Sequence, residues 1–156
     1  MLIEATTEDF AALLRGEAPA PLRLCDSDLA PPEVLAMLAE LADKIRMLLR
    51  PAAWMIVEDG EVVGLISPTG PLDPADRSLR IGYGVAPTRQ GRGAATRAVA
   101  DVAAWARADK RVLALTAETS VDNPASQTVL ARNGFQVVSE RVDDEDGPLL
   151  CWRLEV

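Results

Sequence analysis

The chain has 156 residues, of which 49% are hydrophobic, and a formal net charge of −8, so we expect one folded domain over residues 1–156. The acidic balance argues against a nucleic-acid-binding protein, and no apolar segment approaches the ~20 residues that a membrane-spanning helix needs. Because the sequence contains no histidine, Ser-His and Cys-His catalysis and most zinc sites are excluded.

The cysteine content favours a reducing compartment. Cys25 and Cys151 lack the spacing of a metal site, and the first residues, "MLIEATTEDF", do not have the basic and then apolar pattern of a signal peptide. We therefore expect reduced thiols in a cytoplasmic protein that binds neither nucleic acid nor membrane. Either a monomer or a homodimer is compatible with the sequence.

The N-terminal part predicts two helices with a strand between them. The first helix starts at about Glu8 and stops at Gly16, and the segment Leu22–Asp28 alternates as a strand does. A second helix lies between flanking prolines. Its apolar residues recur at helical spacing and predict core packing: Val34, Leu35, Leu38, Leu41, Ala42, Ile45, Leu48 and Leu49.

The middle of the chain predicts three strands. The first two are joined at Asp59-Gly60, a favoured pair for a two-residue hairpin turn. A proline-rich surface loop then leads to a strand over Ser78–Val85. Alternation puts Gly82 and Gly84 on one face of that strand and leaves a bare strip of backbone, which indicates a bulge or the close approach of another group.

The C-terminal part alternates helices and strands. A helix over about Arg92–Ala108 precedes the buried strand "RVLALTAE". A second helix starts at the capping residue Asn123, with Pro124 in its first turn, and ends at Gly134. Two strands, "FQVVSERV" and "PLLCWRLEV", follow across an acidic loop. The order of elements predicts one mixed sheet with helices on its faces and a parallel strand-helix-strand crossover.

The segment "QGRGA" predicts an anion-binding turn, because it joins a strand to a helix N-terminus. Unpaired N–H groups and the helix dipole favour a phosphate there, and glycines let it approach the backbone. The Gly-Lys-Ser/Thr of a Walker loop is absent. A dinucleotide-binding fingerprint would need a third glycine or an alanine where Thr96 stands, and Glu118 lies too far along the chain to be its acidic residue. A plain turn is the alternative interpretation.

Together with the later "NPASQTVLARNGF", the spacing Gln90-x-x-Gly93-x-Ala95 resembles the GNAT superfamily of acyl-CoA N-acyltransferases. The residues of the later segment are most similar to those of the branch that contains ribosomal-protein N-terminal acetyltransferases. The resemblance covers about Leu22 to Val156. It implies a single mixed, mostly antiparallel sheet of about six to seven strands, with helices on both faces and a splayed parallel pair at the cofactor site. "IGYGVAP" resembles the bulged strand of that family.

The resemblance also implies roles for individual residues. Acetyl-CoA is the implied co-substrate, no metal is implied, and the implied partner is an amine, either a small molecule or a protein N-terminus. Val85 would pair with the pantetheine amide, and Asn123 and Ser126 would lie beside the pantetheine and the sulfur. The pyrophosphate would be bound by Gln90, Gly91, Arg92, Gly93, Ala94 and Ala95, with Thr96 adding its hydroxyl.

The implied reaction is direct attack of a neutral amine on the thioester, which needs no histidine. The chain departs from the family pattern at two positions: Leu130 stands where many members carry a tyrosine acid, and Arg80 where the ribosomal branch often carries an acidic residue. Ser126 is a replacement acid or a residue that helps to cap its helix. Glu118 is either a base that acts through a water molecule or simply an exposed carboxylate at the end of a strand. Tyr83 either hydrogen-bonds to the acceptor amine or packs in the core.

These departures keep a second hypothesis open, a non-catalytic acyl-CoA-binding domain that serves as a sensor or interaction module. A dinucleotide-binding module is a third reading. The acidic loop Asp143–Asp146 either attracts a cationic amine or is a solvated run of charge.

Overall fold

A computed structural model describes all 156 residues and contains eight strands and four α-helices. In chain order these are β1 (Leu2–Glu4), α1 (Thr7–Leu14), β2 (Arg23–Leu24), α2 (Pro32–Arg46), β3 (Trp54–Glu58), β4 (Glu61–Pro68), β5 (Ser78–Val85), α3 (Ala94–Ala108), β6 (Ala114–Ser120), α4 (Pro124–Arg132), β7 (Gln136–Asp143) and β8 (Gly147–Glu155). None of the helices has the length and hydrophobicity required to cross a lipid bilayer.

All eight strands belong to one sheet, in the order β1-β3-β4-β5-β6-β8-β7, with β2 paired to β4. Only the β2–β4 and β5–β6 pairs are parallel, which confirms the predicted mixed and mostly antiparallel sheet. The sheet has eight strands rather than the predicted six to seven. The strand that the sequence does not predict is β1, whose three residues are too few to show the alternation of a strand. The predicted strand Leu22–Asp28 is reduced to the two residues of β2.

The helices cover both faces of the first half of the sheet. Four successive residues of β3 are buried, which requires cover on both sides because neighbouring side chains point in opposite directions. Trp54 meets Trp105 of α3 edge-to-face, with ring centroids 5.2 Å apart, and α2 packs with α1 and contacts β4 on the other side. The predicted apolar stripe of α2 extends too far, because the helix ends at Arg46 and Leu48 is 70% exposed.

The parallel pair β5–β6 opens into a splay. Pairing covers only Ser78–Arg80 against Ala114–Thr116, after which β5 continues to Val85 along β4 alone. The expectation of a bulge in β5 is wrong: its register with β4 is continuous, and the shift lies between β3 and β4 at Ile56/Val57. The splay therefore comes from the divergence of two regular strands, and it leaves one side of β5 free for a ligand.

Candidate active site

A cleft of about 490 Å³ lies at the splay, between the N-terminus of α3 and one face of α4. Two of the residues predicted for the site, Arg92 and Glu118, do not line this cleft. The others all do: Tyr83, Val85, Gln90, Gly91, Gly93, Ala94, Ala95, Thr96, Asn123 and Ser126. The two separate sequence motifs therefore meet in one cavity.

One wall of the cleft is a cradle of unpaired backbone donors. None of the seven backbone N–H groups from Gln90 to Thr96 donates a hydrogen bond within the protein, and no side chain caps α3. The helix begins at Ala94 rather than Arg92, because Gly91 and Gly93 have φ values of 76° and 81°, a conformation that favours glycine. Unpaired donors at the positive end of a helix dipole suit a phosphate anion.

The two arginines of this segment have different surroundings. Arg89 is 19% exposed, and its guanidinium lies 2.9 Å from Asp26 Oδ1 and 3.3 Å from Glu61 Oε2. Its charge is thus already neutralised, and it fastens the loop that leads to the cradle. Arg92 points to a neighbouring depression that Glu58 and Arg97 also line.

The splayed end of the cleft carries two hydroxyl groups in contact. Tyr83 Oη lies 2.8 Å from Ser126 Oγ, and burial raises the pKa of the Tyr83 phenol while the bond to Ser126 opposes that rise. Asn123 Oδ1 caps α4 by accepting from the Ser126 N–H at 3.1 Å, so the Ser126 hydroxyl does not serve as the cap. Leu130, at the family's tyrosine position, is fully buried in the core.

Glu118 lies on β6 outside the cleft lining and is held by two arginines. Arg80 Nη1 is 2.5 Å from one carboxylate oxygen, and Arg141 binds both oxygens. The hydrogen bonds from Arg141, and then those from Arg80, lower the pKa of Glu118 below its ordinary value. A carboxylate that is ionised and fully engaged is a weak proton acceptor, so the structure favours an ion-pair role. In the acidic loop, Asp143 also binds Arg141.

The second wall of the cleft is one face of α4, most of which the sequence motifs did not identify. Ala125, Thr128, Val129 and Arg132 line it in addition to Ser126. Their spacing of three and four residues is the signal that identifies a single helix face. Asn133 Nδ2 donates to the Thr96 carbonyl at 3.1 Å and fixes this face beside the first turn of α3.

The family assignment comes from the sequence. A family model described as an acetyltransferase (GNAT) domain matches residues 1–136. The chain belongs to the GNAT acetyltransferase family. This confirms the resemblance and the predicted class of enzyme. No curated protein sequence matches the chain.

Solved structures of the same fold include several acetyltransferases. Mycobacterium smegmatis RimJ, in complex with a CoA disulfide, has 24% identity and a TM-score of 0.73 over 99% of this chain and 80% of its own. A Salmonella typhimurium acetyltransferase that modifies the N-terminal serine of ribosomal protein L7/L12 has 19% identity and a TM-score of 0.74 over 99% and 94%. MccE, the microcin C7 self-immunity acetyltransferase, in complex with acetyl-CoA and AMP, has 15% identity and a TM-score of 0.71 over 99% and 91%. At these identities the likeness shows the fold.

Proposed function

We propose that residues 1–156 form a single catalytic domain that moves an acetyl group from acetyl-CoA to a primary amine by direct attack within a ternary complex. The observation that carries the proposal is the run of seven unpaired N–H groups at the mouth of a splayed strand pair. The cradle suits a pyrophosphate, and the splay offers an unpaired strand edge to an extended amide-bearing arm.

The residues present fit coenzyme A. The Gln90–Thr96 backbone would hold the pyrophosphate, and the Thr96 hydroxyl, which makes no hydrogen bond in the protein, lies in the same cleft. The Val85 carbonyl accepts from Gln90 Nε2 at 2.9 Å and keeps a second lone pair for an amide of the pantetheine arm. Bound in this way, acetyl-CoA supplies a thioester carbonyl that a neutral amine can attack.

The hydroxyl pair Tyr83–Ser126 is the proton source that we assign. A leaving thiolate needs a proton, and these two hydroxyls are in contact at the splayed end of the cleft. Because burial raises the pKa of Tyr83, the phenol stays protonated at neutral pH and can donate. Ser126 hydrogen-bonds to it and would relay or orient the proton. The pair would take the place of the family's tyrosine, which is Leu130 here.

We assign no protein base to the amine, whose ammonium form would lose its proton to water before the attack. Glu118 is the carboxylate that the sequence predicts as a base, but Arg80 and Arg141 occupy both of its oxygens. The reaction would therefore consume the neutral fraction of the amine, and the proton that the nitrogen loses as the amide forms would replace the one that the hydroxyl pair gives to the sulfur. The acceptor would be a small amine or a protein N-terminus, in keeping with structural relatives named as a spermidine N-acetyltransferase and as ribosomal-protein acetyltransferases.

Binding and turnover are tested together. Calorimetric titration with acetyl-CoA should show binding, and thiol release over a panel of amines should identify acceptors. Ala95 lies in the first turn of α3 inside the cleft, whereas Ala100 is exposed on the same helix outside it. Ala95→Glu should keep the helix stable, because a carboxylate suits a helix N-terminus, yet lower acetyl-CoA affinity by about tenfold or more through repulsion of the pyrophosphate.

Ala100→Glu is the matched control and should keep the wild-type affinity. Equal affinities of the two variants would remove the pyrophosphate assignment. Binding of acetyl-CoA without thiol release for any amine would favour the non-catalytic alternative, which the buried Leu130 and the engaged Glu118 leave open. Gly93 is a poorer test site, because its φ of 81° strains any substituted residue.

A further inference from the structure

Arg132 is an unpaired cation that lines the cleft. It is exposed, makes no ion pair and no side-chain hydrogen bond, and lies on the cleft face of α4. The other arginine of the lining, Arg89, is neutralised by Asp26 and Glu61. In a protein with a net charge of −8, this guanidinium is available to an anionic group other than the one that the backbone donors would bind.

The position of Arg132 along α4 separates it from the reacting end. Ser126 lies near the start of the helix and contacts Tyr83, whereas Arg132 lies in its last turn. Six residues at 1.5 Å each place them roughly 9 Å apart along the axis. The neighbouring Asn133 bonds to Thr96 in the first turn of α3, so the last turn of α4, which carries Arg132, lies beside the phosphate end of the cleft.

We propose that Arg132 binds the 3′-phosphate of coenzyme A and makes the protein select coenzyme A over its 3′-dephospho form. This inference rests on the proposed function, which gives the backbone cradle to the pyrophosphate and leaves the 3′-phosphate without a partner. A phosphate monoester is a strong bidentate ligand for a guanidinium. A cation in the last turn is also favoured by the α4 dipole, so the residue costs the helix nothing.

The test compares the affinities of coenzyme A and 3′-dephospho-coenzyme A by calorimetry. The wild type should prefer coenzyme A by on the order of tenfold, the value of one charged hydrogen-bonded pair. Arg132→Ala should lower the affinity for coenzyme A to that for the dephospho form and leave the latter unchanged. Arg132→Lys should retain an intermediate preference, because it keeps the charge and loses the bidentate geometry.

Arg107→Ala is the matched control. Arg107 is an exposed arginine in the last turn of α3, outside the cleft, and its loss should change neither affinity. Melting temperatures report whether each variant is folded.

Two outcomes would overturn the assignment. An equal loss of both affinities in Arg132→Ala would mean that the residue contacts the pyrophosphate, and a wild type without preference would mean that the 3′-phosphate is unbound. Failure of the wild type to bind either compound would instead reject the proposed function together with this inference.

Discussion

Tyr83 and Ser126 each fit a purely structural role in the sequence, and their contact in the structure makes them candidates for a catalytic one. Tyr83 lies on the same face of β5 as the buried Leu79 and Ile81, which fits a core side chain, and Ser126 lies in the first turn of a helix, which fits a cap. In the structure Asn123 takes the capping role, and the two hydroxyls contact each other inside the cleft. A sequence pattern cannot reveal this contact, because it joins residues 43 positions apart.

The hydroxyl pair predicts a non-additive loss of turnover. Tyr83→Phe and Ser126→Ala should each lower kcat by on the order of 10²-fold while the KM for acetyl-CoA changes little, because proton donation matters only as the sulfur leaves. The double variant should lose no more than the worse single one, since both residues serve one proton transfer. Ser139→Ala, at an exposed serine of β7, is the control. Losses that multiply would mean independent roles.

The pH profile provides a second test at the same residues. Burial raises the pKa of Tyr83 above its ordinary value of 10.0, so the phenol is protonated below that pH. With a neutral amine as the nucleophile, kcat/KM should rise with pH up to the amine's own pKa. At pH values under about 10 it should show no alkaline decline. A decline on the alkaline side near pH 8 would show that another acid donates the proton.

At the scale of elements, the sequence predicted long periodic segments well and short ones poorly. The α4 helix and the hairpin at Asp59-Gly60 agree with prediction, and both turn residues have the positive φ of the expected turn. The α3 helix also agrees, except that it begins two residues later than predicted, at Ala94. The strand β1 was missed because pairing with β3 alone defines it. Gly82 and Gly84 favour a bulge in β5 from the sequence, but the strand has none. Gly64 instead permits close approach of β4, where a Cβ would lie 2.3 Å from the Gly84 carbonyl oxygen.

Glu118 links three strands, and its ion pairs predict a pH-dependent loss of stability. Because its pKa is lowered in the folded state, its contribution is present above the ordinary value of 4.5 and is lost as the pH falls further. Glu118→Gln should reduce the free energy of unfolding near neutral pH by about 0.5–1 kcal/mol, since the arginine partners are half-exposed.

Urea titrations at a series of pH values test this prediction. The difference between the wild type and Glu118→Gln should shrink as the pH falls below 4.5. A difference that stays constant with pH would contradict an ionic origin. A large loss of kcat with unchanged stability would restore Glu118 as the base.

At the scale of the whole molecule, the cradle is held by parts of the chain that are far from it in sequence. Asp26 follows β2 and accepts from the Thr88 hydroxyl at 2.6 Å and from Arg89 at 2.9 Å, while Glu61 begins β4. The hydrogen bond from Thr88 is the largest cause that lowers the pKa of Asp26. The N-terminal half therefore positions the loop from which the unpaired N–H groups extend.

Arg89 either positions the cradle or binds the pyrophosphate directly, and the two roles predict opposite changes in acetyl-CoA affinity when Asp26 loses its charge. If Arg89 positions the cradle, Asp26→Asn loosens the loop and should weaken acetyl-CoA binding about two- to fivefold, because preorganisation is lost. If Arg89 instead turns to the pyrophosphate, the same substitution frees its charge and should strengthen binding. We expect weakening, measured by calorimetry. Asp28→Asn removes the same charge from an exposed aspartate two residues away and should leave affinity unchanged, which excludes a general electrostatic effect.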